Sequence, residues 1–336
     1  MSLSILHPGL LTTVQDLGRP GYQKDGVVVG GALDACALRV ANLLVGNPEG
    51  AAGLEITLRG PRLRFGAGAL LALAGADLSP TLDGQAVGLN RPVWAPAGAE
   101  LAFGAPRAGC RAYLAVAGGV AVAPVLGSRA TYLRAGLGGW HGRALQAGDE
   151  LPVGAPTALG QQLRLELAGN QTSWAQARWT PGPQLCPVPR PSPVVRAVRG
   201  PEYGQFSAAS QRAFWEAPFA ITAAADRMGY RLQGPALARL TDAELLSSTV
   251  THGTVQVPAN GQPIVLLADR QTTGGYPRLA QVITADFGAL AQAAPGQALR
   301  FQEVSLAEAQ ALYLAQERAL RALQRAIAFK ALFGGA

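Results

Sequence analysis

Lysine is nearly missing from this chain. Of 28 basic residues only Lys24 and Lys330 are lysine, leaving 26 arginines against 21 acidic residues and a formal net charge of +7. A phosphate-cradling GxxxxGK[ST] loop needs a lysine behind a glycine, and neither lysine has one, so the chain carries no such nucleotide loop of its own. Aromatics are 6% of residues, and the arginines are scattered singly from Arg19 to Arg325 rather than clustered among stacking rings, which argues against nucleic acid as a partner. An anionic small molecule or an acidic partner surface stays open, beside the plain reading of a compositional bias toward arginine. Cysteine is equally sparse: Cys36, Cys110 and Cys186 are odd in number and far apart, so neither a disulfide framework nor a CxxC clip is present. His7, His141 and His252 are isolated, no HExxH or GxSxG occurs, and no metal site is expected. No apolar run approaches the ~20 residues that cross a bilayer, and the start lacks a basic segment followed by an apolar core. The expectation is a cytoplasmic protein without a membrane partner.

Charge is low and apolar content high, 15% against 49%, so the 336 residues can bury cores for two domains. The 42 glycines and 24 prolines point to many turns between short strands, hence a mainly β protein. Two stretches repeat the same order of features. In the first, 54–61 ends in Gly60-Pro61 and leads to 95–98, an apolar strand at 113–117, Gly118-Gly119 and a closing 146–151. In the second, 228–235 ends in Gly234-Pro235 and leads to 257–261, an apolar strand at 264–268, Gly274-Gly275 and a closing 294–299. Two related β units remove exposed edges most simply as twin small barrels. Six prolines between Pro181 and Pro193 read as an extended connector. The expected organisation is therefore a first barrel over 1–180, a connector over 181–193, a second barrel over 194–304 and a helix over 305–333.

Few other helices are expected. The pattern predicts one over 33–45, started near Asp34 and stopped by Gly46-Asn47, and short ones over 207–215 and 241–246, the latter with a capping box of Thr241 and Glu244. The closing helix opens on a second capping box, Ser305 and Glu308, and carries an apolar stripe of Leu312, Leu320, Leu323, Ile327 and Leu332.

Chemistry is sought in the run 269–277, Asp-Arg-Gln-Thr-Thr-Gly-Gly-Tyr-Pro, which follows the apolar strand of the second unit. It is either a polar hairpin turn or a loop facing a ligand. Thr272, Thr273 and Tyr276 add donors that bracing a turn does not require, which favours function, and Gly274-Gly275 lets the main chain approach a ligand. In this reading Asp269 moves a proton, Arg270 neutralises charge, Thr272 and Thr273 join the main-chain amides in stabilising an oxyanion, and Gln271 and Tyr276 orient the substrate. Two further clusters mix amide, acid and guanidinium around glycines: Gln15, Asp16 and Arg19, and Asp226, Arg227 and Arg231. Arg227, Arg231 and Arg270 are candidates to hold a carboxylate by two-point bonding, with Asp269 or Asp226 to orient them or shuttle a proton, although the neighbours Asp226 and Arg227 read best as a local salt bridge.

Together the blocks 8–19, 31–34, 41–47, 226–232 and 269–277 resemble the biotin-dependent carboxyltransferase family, whose members are also known as allophanate hydrolase subunit 2, KipA-like proteins or the C subunits of 5-oxoprolinase. The likeness covers about residues 6–303. It implies two tandem cyclophilin-like β-barrels, in keeping with the internal repeat. It also implies one component of an ATP-dependent 5-oxoprolinase that opens the cyclic amide of 5-oxoproline to glutamate with partner A and B subunits, the latter KipI-like. Two alternatives come with it: a KipA-like regulator that antagonises a kinase inhibitor, and a carboxyltransferase acting on urea or a related amide. The chain has no Met-Lys-Met biotin-attachment site and no ATP-grasp-like segment. No cofactor is expected on this chain alone: ATP belongs to the complex, and biotin enters only under the carboxyltransferase reading.

Overall fold

The structure is a computed structural model and describes residues 1–169, 173–241 and 245–333. The chain divides into two compact units, one of Met1–Gly18, Asp34–Val188 and Gln316–Ala336, the other of Arg19–Leu33 and Pro189–Ala315. The expected proline-rich connector contains the junction between Val188 and Pro189 and carries no helix or strand. Residues 19–33 belong to the second unit, whereas the sequence pattern assigns them to the first.

The first unit is built on two six-stranded sheets. One runs in the spatial order Glu150–Pro152, Ser2–His7, Arg62–Phe65, Glu100–Ala102, Thr81–Leu82, Gln85–Ala86; the other runs Ala175–Gln176, Pro92–Ala95, Ala69–Asp77, Ala108–Val116, Gly53–Thr57, Leu11–Gln15. A closed barrel is the expectation here, but these sheets stay open, each with a two-residue strand at one edge, Gln85–Ala86 in the first and Ala175–Gln176 in the second. Alternation explains the first sheet: in Arg62–Phe65 the arginines face out while Leu63 and Phe65 are fully buried. Ala69–Asp77 instead buries residues on both faces, because the helix Ala35–Leu44 packs on it and on Ala108–Val116. That helix begins where Asp34 accepts a hydrogen bond from the Ala37 amide at 3.0 Å. A second helix, Ala158–Ala168, is not anticipated by the sequence pattern; it buries only Gly160 and Leu163, so its periodic signal is weak. The closing helix, Leu306–Phe333, starts on the expected capping box, with Ser305 Oγ accepting from the Glu308 amide at 3.2 Å and the Glu308 carboxylate accepting from the Ser305 amide at 2.7 Å. Leu320, Leu323 and Ile327 are buried as the stripe predicts, Leu312 only partly, and the Leu332 side chain lies outside the described residues. No described helix is long and apolar enough to cross a membrane.

The second unit closes. Its seven-stranded barrel runs Val194–Arg199, Arg278–Val282, Thr254–Gln256, Ile264–Leu266, Gly229–Gln233, Phe219–Ile221, Ala298–Glu303, and the last strand pairs in parallel with the first. Closure satisfies every strand edge within the ring. The predicted helix over 207–215 is present as Ala208–Glu216, with Ser207 capping Ser210 at 3.2 Å, while the capping box proposed for 241–246 lies outside the described residues at Glu244. Phe214 stacks on Phe301 with ring centroids 4.5 Å apart, and Phe219 closes on the same ring, so three aromatics plug this part of the core. Phe301→Ala should therefore cost this unit ~3–5 kcal/mol, whereas Val194→Ala, at a side chain 51% exposed, should cost less than ~1 kcal/mol; urea unfolding of the two variants checks the contrast.

Candidate active site

The run 269–277 begins where Ile264–Leu266 leaves the barrel wall. Main-chain bonds from Leu267 to Met228 and from Asp269 to Arg227, 2.9 and 3.0 Å, carry the pairing past the strand ends and set Asp269 opposite Arg227. Both side chains are buried, and they form a two-point ion pair: Arg227 Nε donates to Asp269 Oδ2 at 2.9 Å and Nη2 to Oδ1 at 3.0 Å. Arg227 Nη2 also donates to the Gly31 carbonyl at 2.6 Å, and the Gly30 amide donates to the Ala268 carbonyl at 3.2 Å. Gly30 adopts a φ of +65° there, and a Cβ on it would stand 3.5 Å from Arg19 Nη1 and 3.7 Å from Asp269 Oδ1. Arg19, Arg227 and Asp269, 250 positions apart at the extremes in the chain, thus meet around one glycine.

This arrangement changes two of the expected roles. Arg227 is not bridged to its neighbour, because the Asp226 carboxylate instead accepts from the Met228 and Gly229 amides at 2.8 and 3.1 Å and shapes the turn. With both oxygens of Asp269 engaged by a guanidinium, its geometry is that of a brace rather than a proton carrier. Arg231 lies elsewhere, on the outward face of Gly229–Gln233, where alternation turns Tyr230 and Leu232 inward. Gln15 and Asp16 belong to the first unit and serve its own loops: Gln15 Nε2 donates to Thr13 Oγ1 and the Thr131 carbonyl, both at 3.1 Å, and Asp16 accepts from Gly18 and Ser128 at 2.8 and 2.7 Å.

Arg270, the next residue after the brace, lines a cleft of about 490 Å³ in the second unit together with Thr251, His252, Gln281, Phe287 and Tyr313. Its guanidinium reaches only carbonyl oxygens, Leu267 at 3.3 Å and Val250 at 3.5 Å, and among the described residues it has no carboxylate partner. Burial lowers its pKa from the ordinary arginine value. The His252 imidazole stacks flat on Phe287, centroids 4.0 Å apart at 12°, and its Nε2 is buried without a protein partner. Burial first, then the positive charges of Arg270 and Arg227, push its pKa down to about 3, so the ring is neutral. Gly253 makes the stack feasible: it sits at a φ of +83°, and a Cβ there would come within 2.7 Å of the Phe287 ring. Gln281 is saturated, with Oε1 accepting from Thr251 and Thr254 hydroxyls at 3.0 and 2.8 Å and Nε2 donating to the His252 carbonyl at 2.7 Å, so it forms a fixed wall.

The rest of the run disperses. Gln271, Thr273 and Tyr276 are exposed, Thr272 is half-buried, and Thr273–Gly274 pairs with Ser248–Thr249 as a short ribbon. Gly274 packs against the Gln256 amide, where a Cβ would come within 2.6 Å. Thr251, His252, Gln281 and Phe287 are not among the residues that the sequence singles out. The polar turn Thr251-His252-Gly253 ahead of a strand is the available signal, and it is faint because an isolated histidine makes no metal site. Among the described residues no three His, Cys, Asp or Glu side chains converge as a metal site.

Two outcomes follow from this geometry. Asp269→Asn leaves a buried guanidinium without its charge partner and should destabilise the second unit by ~3–5 kcal/mol in denaturant unfolding. The unfolded chain protonates His252 near its ordinary ~6.5 while the folded chain resists until about 3, so stability is full above the higher value and drains as pH falls between the two. His252→Phe should therefore lose less stability than the parent between roughly pH 7 and pH 5 in matched unfolding titrations.

The profile of the carboxyltransferase domain, subdomain A and B, matches residues 25–303. The chain is 46% identical to the C subunit of 5-oxoprolinase from Escherichia coli strain K12 over 308 residues, 91% of this chain and 93% of that protein. It is 38% identical to the C subunit of 5-oxoprolinase from Haemophilus influenzae over 325 residues, 97% and 98% of the two chains. The crystal structure of Kluyveromyces lactis urea amidolyase superposes with a TM-score of 0.86 at 27% identity, over 96% of this chain and 20% of that one. The chain thus corresponds to a fifth of the amidolyase and to nearly the whole of the two bacterial proteins. It belongs to the carboxyltransferase-domain family, subdomains A and B together.

Proposed function

We propose that this chain is the C subunit of a cytoplasmic, ATP-dependent 5-oxoprolinase, which opens the cyclic amide of 5-oxoproline to glutamate with partner A and B subunits, and that the Arg270 cleft receives the substrate. Near full-length identity to two proteins of that name supports the activity. The cleft is supported by one observation above the others: a half-buried guanidinium, held only by two long carbonyl contacts, lines a cavity of small-molecule size. A cation in that state gains most from an anion that brings its own charge, and 5-oxoproline carries one carboxylate on a small flat ring. Arg270 takes that carboxylate, Phe287 and the saturated Gln281 shape the walls, and the Asp269–Arg227 pair holds the turn that presents Arg270. Thr272, half-buried two residues on, assists the lactam oxygen in this reading, while Gln271, Thr273, Gly275 and Tyr276, being exposed, suit contact with a partner protein. The twin cyclophilin-like barrels implied by the family resemblance belong to the same proposal, with the open two-sheet unit as a loosened counterpart of the closed barrel.

The test is to purify the chain with its A- and B-subunit homologues and follow ATP-dependent glutamate release from 5-oxoproline. The complete set should be active, and Arg270→Ala should lower kcat/KM by roughly 10- to 150-fold, the worth of a charge-assisted hydrogen bond. No product from the full set, with intact binding to the B-subunit homologue, would favour a regulator. A requirement for a biotinylated partner and bicarbonate would identify carboxyl transfer instead.

A further inference from the structure

We propose that His252 reads the ring N–H of the substrate, its Nε2 accepting a hydrogen bond while Arg270 holds the adjacent carboxylate. The inference rests on the Arg270 cleft being the 5-oxoproline site and adds the residue that makes it selective for a lactam. Hydrogen-bond supply within the cleft leads to the assignment. A lactam acid presents one donor, its N–H, and otherwise acceptors. The lining is rich in donors, since the Arg270 guanidinium makes only two long contacts. Of its two side-chain amides, Gln281 is occupied, because its Oε1 takes two hydroxyls, and Gln310 is solvent-exposed. His252 Nε2 is buried and unpartnered, and a neutral imidazole offers one acceptor nitrogen.

Geometry favours the same pairing. The ring is clamped against Phe287 at 12°, so its nitrogen lone pair lies in a fixed plane rather than sweeping a cone. In 5-oxoproline the nitrogen is bonded to the carbon that bears the carboxylate, so its N–H and the carboxylate share one edge of the ring. Arg270 and His252 line the same cleft, and a cation beside a histidine whose buried nitrogen is unpartnered matches that edge. An unmet buried polar atom is costly, and a ligand that supplies its partner gains what an isostere without the N–H forfeits.

The discriminating ligand is the γ-lactone acid in which oxygen replaces the ring N–H and all else is retained. In the assembled complex, the parent should bind this lactone, as a competitive inhibitor, about 10- to 100-fold more weakly than it binds 5-oxoproline. His252→Phe keeps a flat ring on Phe287 and removes the nitrogen; it should weaken 5-oxoproline by a similar factor and leave the lactone unchanged, so the discrimination collapses. His252→Gln, which can return an oxygen acceptor near the lost nitrogen, should restore part of it. Equal binding of lactam and lactone by the parent overturns the proposal without any variant, and so does a His252→Phe variant that loses both ligands equally. A complex that never turns over 5-oxoproline fails the functional reading instead, so the two failures are distinguishable.

Discussion

The ion pair between Asp269 and Arg227 is the constraint on which the second unit's chemistry depends. Two charges taken out of water cost several kcal/mol each, and the cost is offset only when geometry is good and the remaining donors find partners. Here the carboxylate meets the guanidinium at two points, a third bond goes to the Gly31 carbonyl, and the backbone of Asp269 donates to the carbonyl of Arg227 itself. Such a pair tolerates little drift. It fixes the turn after Ile264–Leu266, and a fixed turn determines where the following residue, Arg270, presents its side chain.

Arg270 then inherits the opposite electrostatic condition. Its neighbour is neutralised, whereas it lines a cleft with no carboxylate of its own among the described residues. The two arginines are of one chemical kind and serve opposite ends, one committed to structure and one held for a guest. Burial first, and then their combined charge, keep His252 neutral, since a third cation beside two guanidiniums would be repelled. The brace, the cation and the acceptor are therefore coupled: loosening the first would move the second and release the third.

Local features are legible from the sequence and distant ones are not. Ser305 and Glu308, or Asp34 before its helix, announce themselves because a cap involves residues three apart. The run 269–277 stands out for its density of polar groups, yet its members scatter, since a turn sends successive side chains in different directions. Asp269 goes to the brace, Arg270 to the cleft and Tyr276 to solvent at 50% exposure. Arg227 finds its acid 42 positions away at Asp269, whereas proximity in the chain points to Asp226. No periodicity reports that 19–33 lies in the second unit, because its bonds to 227 and 268 are single contacts at glycines. Repeated order suggests twin barrels, and repeated order does not reveal whether the edge strands of a unit meet to close a ring.

His252 shows the limit most clearly. In sequence it is one histidine among three, without a second ligand at any useful spacing. Its meaning comes from what surrounds it: a phenylalanine ring that fixes its plane, a glycine that allows the stack, a glutamine already saturated and a cation nearby. None of these residue types signals chemistry alone, and they converge only when the barrel closes. An unsatisfied acceptor and an unneutralised donor lower the stability of the empty fold, so their retention in one cleft is better explained by a ligand that completes both than by packing that completes neither.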